Sequence, residues 1–190
     1  MAKPKALVLL LVIATVLSVG TVASASAGEP ANRDTARDVA GESATLGWSE
    51  GLTYRRTQDY LHAVEREDLA AVADLQSPQV TLTHPITFSG NQQPDAVFVG
   101  SEQVLGYLRG LFGLMSRIHF TDVRVGVVAG GRQSFVETLG DFVTADGRPY
   151  RNVYVLRFDW GADGRIVRAA EYYNPITFCQ TFPTSPTCAG

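Results

Sequence analysis

A chain of 190 residues that is 45% hydrophobic and 18% charged has the composition of one folded domain with short appendages. Its 16 Lys and Arg against 19 Asp and Glu leave a formal net charge of −3. That balance excludes the basic surface a nucleic-acid partner needs, and no run of like charge is long enough to form an interaction tail.

The N-terminus has the pattern of an export signal. Lys3 and Lys5 precede the apolar run Ala6 to Leu17, broken only by Thr15, and Ala23-Ser24-Ala25-Ser26-Ala27 supplies small residues at cleavage spacing. This predicts a secretory signal peptide over residues 1–27, cut after Ala27 or, as second choice, after Ala25, and so a secreted, extracellular protein. The competing reading is an uncleaved membrane anchor, the one route by which this chain would hold a membrane. No Cys lies near the cut to carry a lipid. Residues 28–50 have almost no large apolar side chain and are predicted to be a flexible linker, with order beginning near Leu46 and Trp48.

From Tyr54 to Leu75, Tyr60, Leu61, Val64, Leu69, Val72 and Leu75 recur at helical spacing. Glu65 to Asp68 interrupts the pattern, which predicts two helices with a bend, the second capped by Asp68 and both ended by Ser77-Pro78. Val80 to Phe88 alternates as a strand with Val80, Leu82 and His84 on one face, and Pro85, lacking an amide donor, belongs at its edge or end. Ser89 to Val99 is predicted to be a loop. Ser101 to Met115 is predicted to be a helix capped by Ser101, with Val104, Leu105, Leu108, Leu111, Phe112 and Met115 as its buried stripe.

Strands are predicted over His119 to Ala129 and Gln133 to Val143, around Gly130-Gly131. Asp146-Gly147 then turns into a long hairpin, Asn152 to Trp160 and Ile166 to Tyr173, whose Gly161-Ala162-Asp163-Gly164 turn tolerates positive φ. Helices segregated from a run of strands predict an α+β fold: a single domain over residues 51–178, with a curved antiparallel or mixed sheet packed against N-terminal helices. The only cysteines, Cys179 and Cys188, fall in a tail over residues 179–190; either they form a disulfide or they are two free thiols. Two Cys with no His nearby in sequence make a poor metal site, so no metal is expected.

Four stretches in this order, QDYLHAVEREDLAAVADL, VTLTHP, EQVLGYLRGLFGLM after VGS, and the hairpin end AEYYNPI, resemble the nuclear transport factor 2-like and SnoaL-like superfamily. That superfamily includes ketosteroid isomerase, polyketide cyclases and phenazine-biosynthesis proteins. The similarity runs from about Tyr54 to Phe178 and implies a cone-shaped, cystatin-like α+β barrel. In the isomerase a helical Tyr donates to a developing oxyanion, and Tyr60 stands at the matching place. Its proton-shuttling Asp before a Pro is here His84, before Pro85. Its protonated Asp on the penultimate strand is here Tyr154. The phenazine relatives carry an acid/base Glu on the last strand, matched by Glu171 in Glu171-Tyr172-Tyr173-Asn174.

Each candidate has a functional reading and a plain one. His84 is a base suited to neutral pH, or a hydrogen-bonded core histidine. Val167, Ala169, Glu171 and Tyr173 share one strand face, so Glu171 is either a carboxylate in an apolar pocket or, in the other register, a solvated sheet residue. Tyr60 and Tyr154 are oxyanion donors or satisfied core tyrosines. Asn152, Leu156, Phe158, Ala169 and Tyr173 are expected to line a substrate pocket. His62 and His119 show no partner in the sequence, and Glu137 and Asp141 are expected on the outer face with Arg151, Arg157, Arg165 and Arg168 as solvated partners. Trp48 and Trp160 are expected to be packing residues.

The leading expectation is acid/base chemistry without a cofactor, an isomerisation, cyclisation or lyase step on a small apolar polyketide- or terpenoid-like molecule. His84, with or without Glu171, would move the proton, and Tyr60 and Tyr154 would hold the oxyanion. The alternatives are a non-catalytic secreted module that binds a small molecule or forms a homodimer, and an epoxide hydrolase in which Glu171 or Asp141 activates water. The first two separate on one geometric question: whether His84 and Glu171 face the same side of the sheet.

Overall fold

The computed structural model describes residues 49–90 and 92–188. The predicted signal peptide, nearly all of the linker, and Leu46 and Trp48 lie outside the described residues. Those described belong to one compact unit, Ser43–Gly190.

Helix α1, Glu50–Glu65, starts four residues ahead of Tyr54 because Ser49 caps it, its hydroxyl accepting from Leu52 N at 3.2 Å. The predicted bend is present. Glu67 takes a positive φ of 55°, and Asp68 caps α2, Leu69–Leu75, by accepting from Ala71 N at 3.0 Å. Ser77-Pro78 does not end the helices. Strand β1, Gln76–His84, begins directly after Leu75 and holds both residues. Pro85 does end that strand, as its missing amide donor requires.

Two short strands escaped the sequence reading. Strand β2, Ala96–Val99, lies inside the predicted loop and pairs antiparallel with β1. Helix α3, Ser101–Leu114, is followed at once by β3, Met115–Arg117. The cap of α3 is Gly100 at φ 84°, a conformation that favours glycine, while the Ser101 hydroxyl instead accepts from Gln76 Nε2 at 2.8 Å. The buried stripe is narrower than predicted: Val104, Leu108, Phe112 and Met115 are buried, and Leu105 and Leu111 are half-buried.

Strands β4, Phe120–Val127, β5, Gln133–Thr144, β6, Pro149–Trp160, and β7, Ile166–Tyr173, follow with the predicted turns between them. The sheet order is β2-β1-β7-β6-β5-β3, with β4 also paired to β5. All pairs are antiparallel except β1 with β7, so the seven-stranded sheet is mixed, and its edges do not meet to close a barrel. The fold is α+β, as expected.

Alternation divides the sheet into two faces. On β5 and β6, Val136, Thr138, Gly140 and Phe142 lie opposite Leu156, Tyr154, Asn152 and Tyr150, and all are buried. Helix α1 packs on this face: Thr57 and Trp160 Nε1 both hydrogen-bond Ser134 Oγ, at 2.8 and 3.0 Å, and the rings of Tyr60 and Phe158 lie 4.9 Å apart. Trp160 is thus a packing residue with its indole satisfied. Helix α4, Pro175–Thr181, packs Phe178 and Phe182 near Tyr150, and Cys179 is disulfide-bonded to Cys188.

Candidate active site

Two registers decide the site. In the parallel pair β1–β7, Leu82 lies opposite Ala169 and Thr83 opposite Ala170, which carries His84 alongside Glu171. In the antiparallel pair β6–β7, Phe158, Leu156 and Tyr154 lie opposite Ala169, Glu171 and Tyr173. His84, Glu171, Tyr154, Leu156, Phe158, Ala169 and Tyr173 therefore share the helix-covered face, and Tyr60 reaches it from α1. The register that would have left Glu171 as a solvated sheet residue is not the one adopted.

His84 Nε2 lies 3.5 Å from Glu171 Oε2, with side-chain exposures of 6% and 16%. That distance is within ion-pair reach but makes no hydrogen bond, and Nε2 is buried without a hydrogen-bond partner. The imidazole is hemmed by the edges of three rings, Phe98 at 5.6 Å, Tyr107 at 5.0 Å and Tyr173 at 5.5 Å. The Tyr107 hydroxyl donates to Glu171 Oε2 at 3.0 Å.

A set of tyrosines surrounds this carboxylate, and all are held in their neutral form. Burial first, and the Glu171 charge second, raise Tyr60, Tyr107 and Tyr173 above the ordinary phenol range. Tyr154 and Tyr150 are raised for the same first reason, with Glu171 a smaller contributor. Their states differ. Among the described residues no hydrogen bond engages the Tyr60 hydroxyl. The Tyr154 hydroxyl is directed at Tyr150, which also accepts from Asn152 Nδ2 at 2.8 Å. Asn152 is on the predicted face, but its amide is occupied. Besides Tyr150 it donates to Asn174 O at 3.1 Å and accepts from Asn174 N at 3.0 Å, tying β6 to the end of β7.

The other titratable candidates lie elsewhere. Glu137 and Asp141 are on the outer face, Asp141 between Arg117 at 2.8 Å and Arg151 at 3.2 Å. His62 is exposed on α1. His119 corrects its reading as partnerless: its Nδ1 lies 3.0 Å from Glu65 Oε1, which also accepts from Phe120 N at 2.7 Å. That partner is 54 residues away and could not be seen in the local pattern. A groove of about 500 Å³ along α1 and α2, lined by Arg55, Arg56, His62 and Asp74 among others, includes none of the site residues and has mixed charge. Among the described residues no three His, Cys, Asp or Glu side chains are grouped to hold a metal.

Sequence reasoning missed Tyr107, Phe98 and Tyr150. Tyr107 was detectable: it stands three residues after Val104 and four before Leu111, on the buried stripe, but its polarity kept it out of an apolar pattern. Phe98 was lost with the unpredicted β2.

The SnoaL-like domain profile matches residues 57–169, more than half of the chain. The chain belongs to the SnoaL-like domain family. Among solved structures it is similar to a Bacillus subtilis protein described as an isomerase, with 20% identity, a TM-score of 0.62, and coverage of 73% of this chain and 99% of that one. It is also similar to a Xanthomonas campestris protein described as a polyketide cyclase, with 21% identity, a TM-score of 0.57, and coverage of 68% and 96%. A phenazine biosynthesis-related protein from Pseudomonas aeruginosa matches with 15% identity, a TM-score of 0.58, and coverage of 76% and 88%. These likenesses show the fold. No curated protein matches the sequence.

Proposed function

We propose that this chain is an exported enzyme that moves a proton on a small apolar molecule of polyketide or terpenoid type, using its own side chains as acid and base. The observation that carries this reading is the pairing of Glu171 with His84 on one buried, aromatic-walled face, with neutral tyrosines around them. Export rests on the N-terminal pattern of Lys3, Lys5, the apolar run and Ala23 to Ala27. The names of the structural relatives, an isomerase and a cyclase, favour the same reaction class.

In this mechanism Glu171 takes a proton from carbon next to a carbonyl. The electron pair moves onto the carbonyl oxygen, where the unengaged Tyr60 hydroxyl donates to it. The Tyr154 hydroxyl, directed at Tyr150, becomes a second donor only by turning from Tyr150 to the ligand oxygen. Glu171 returns the proton at another carbon, and His84 beside it steadies the carboxylate. Proton transfer by a placed group contributes about 10²–10⁴-fold to rate.

Solvent exchange tests the step common to isomerases and cyclases. The protein is incubated in heavy water with apolar cyclic ketones from cyclohexanone to 2-decalone, and deuterium gain is read by mass spectrometry. Protein-dependent exchange should fall about 10²–10⁴-fold in Glu171→Gln. Exchange that is absent with every ketone, or unchanged in both Glu171→Gln and His84→Ala, removes the reading.

A second observation favours self-association beside this activity. The outer face of β5 and β6 exposes Val153 at 53%, Leu139 at 44%, Val155 at 41% and Phe135 at 39%. A cluster of this kind is a candidate surface for pairing two copies. Sedimentation of the wild type should show a dimer that Val153→Lys converts to monomer.

A further inference from the structure

The two oxygens of Glu171 are not equivalent. Oε2 faces both polar neighbours, with the Tyr107 hydroxyl at 3.0 Å and His84 Nε2 at 3.5 Å. Among the described residues no hydrogen bond reaches Oε1. The Glu171 side chain also keeps more exposure, 16%, than the 6% of His84. A carboxylate held by one oxygen presents the other.

Tyr107 is itself held. Its ring stacks on Phe98 at 4.9 Å with 27° between planes, and meets the His84 ring edge-on at 5.0 Å. Helix α3 supplies the base of this arrangement, since Val104 and Leu108 are buried on either side of Tyr107 in the sequence. Burial and the neighbouring Glu171 charge keep the phenol protonated, so it acts as a donor across the neutral pH range.

Resting on the function proposed above, we infer that Tyr107 is a positioning residue: it commits Glu171 Oε2, with His84 alongside, so that Oε1 is the atom that exchanges the proton with the ligand. The carbon-bound proton passes to Oε1, its electron pair goes to the ligand oxygen, and Oε1 gives the proton back. The Tyr107 proton never leaves its oxygen. One carboxylate atom then serves both transfers, with no second base. Tyr107 does not touch the reacting atoms in this scheme. It acts through the geometry of Glu171.

Tyr107→Phe tests this, because it keeps the ring that packs on Phe98 and His84 and removes only the hydroxyl. In the ketone exchange assay the expected result is a kcat lower by about ten- to a hundredfold, the effect of losing a hydrogen bond to a charged group, with KM changed by less than about twofold. A second readout needs no ligand. The wild type should show a downfield, slowly exchanging hydroxyl proton by NMR that is absent in Tyr107→Phe and displaced in Glu171→Gln. Its absence from the wild type, or its indifference to Glu171→Gln, overturns the inference. So does an unchanged kcat in Tyr107→Phe while Glu171→Gln is inactive, which leaves the proposed function standing. An equal rise of KM and fall of kcat reports general loosening and also counts against positioning. Exchange that survives Glu171→Gln overturns this inference, and if it also survives His84→Ala the proposed function falls with it.

Discussion

The two faces of the same sheet handle carboxylates in opposite ways. On the outer face, Asp141 sits between two exposed arginines and Glu137 lies 3.8 Å from Arg124. These groups compensate each other in water, and such pairs contribute about 1 kcal/mol or less. On the helix-covered face, no Lys or Arg among the described residues pairs with Glu171. Its neighbours are a buried imidazole and neutral phenols, one of which, Tyr107, donates a hydrogen bond to it. The lesson is that residue type does not separate an enclosed carboxylate from a solvent-paired one; face does. Glu137 and Glu171 are chemically identical, and only the pairing of strands separates them.

Replacing each of the two in turn breaks or sharpens this contrast most strongly. Glu171→Gln should lower ketone exchange by about 10²–10⁴-fold, while Glu137→Gln should leave it unchanged. Equal effects of the two would erase the distinction between the faces.

The next effect concerns space. A Cβ at Gly140 would lie 2.8 Å from Tyr154 Cε2 and 3.1 Å from Phe142 Cε1, so the helix-covered face has no room for it. Gly140→Ala should destabilise the fold by about 1–3 kcal/mol in urea unfolding. Alanine at the outward-facing Leu139 should cost less than Gly140→Ala, and the reverse order would contradict the assignment of faces.

A smaller effect is electrostatic and appears in alkali. Tyr60, Tyr107, Tyr150, Tyr154 and Tyr173 all ionise at higher pH in the fold than in an unfolded chain, where the value is about 10. The stability they contribute is complete below about pH 10 and is lost as pH rises toward the folded values, because the unfolded chain then releases protons that the fold retains. Unfolding free energy should therefore decline above about pH 10. Removing the Glu171 charge relieves part of this, so tyrosinate absorbance in Glu171→Gln should rise at lower pH than in the wild type. Coincident titrations would place Glu171 away from the tyrosines. The Val153→Lys monomer should show the wild-type titration, since its change lies on the other face.

Much of this molecule was legible in local pattern. Asp68 announced the second helix, because a side chain that caps its own backbone needs only neighbours in sequence. The Asp163-Gly164 turn announced the last hairpin for the same reason. The strands β2 and β3, of 4 and 3 residues, were too short to establish a period. The cap of α3 falls at Gly100, and the Ser101 hydroxyl meets a distant partner in Gln76.

The site divides along the same line. Period-two alternation by itself placed Ala169, Glu171 and Tyr173 together, and Tyr154, Leu156 and Phe158 together, because side chains of one strand must alternate. Alternation cannot say which face is buried or what lies across it. That was decided by the parallel register of β1 with β7, the antiparallel register of β6 with β7, and the packing of α1 and α3. Tyr107 shows the limit most clearly: it is 64 residues from Glu171 in sequence and 3.0 Å from it in space. The sequence alone determined which residues could share a face. Only the tertiary structure decided that His84, Tyr107 and Glu171 meet, because contacts across strands and helices are set by register and packing, which no local pattern records.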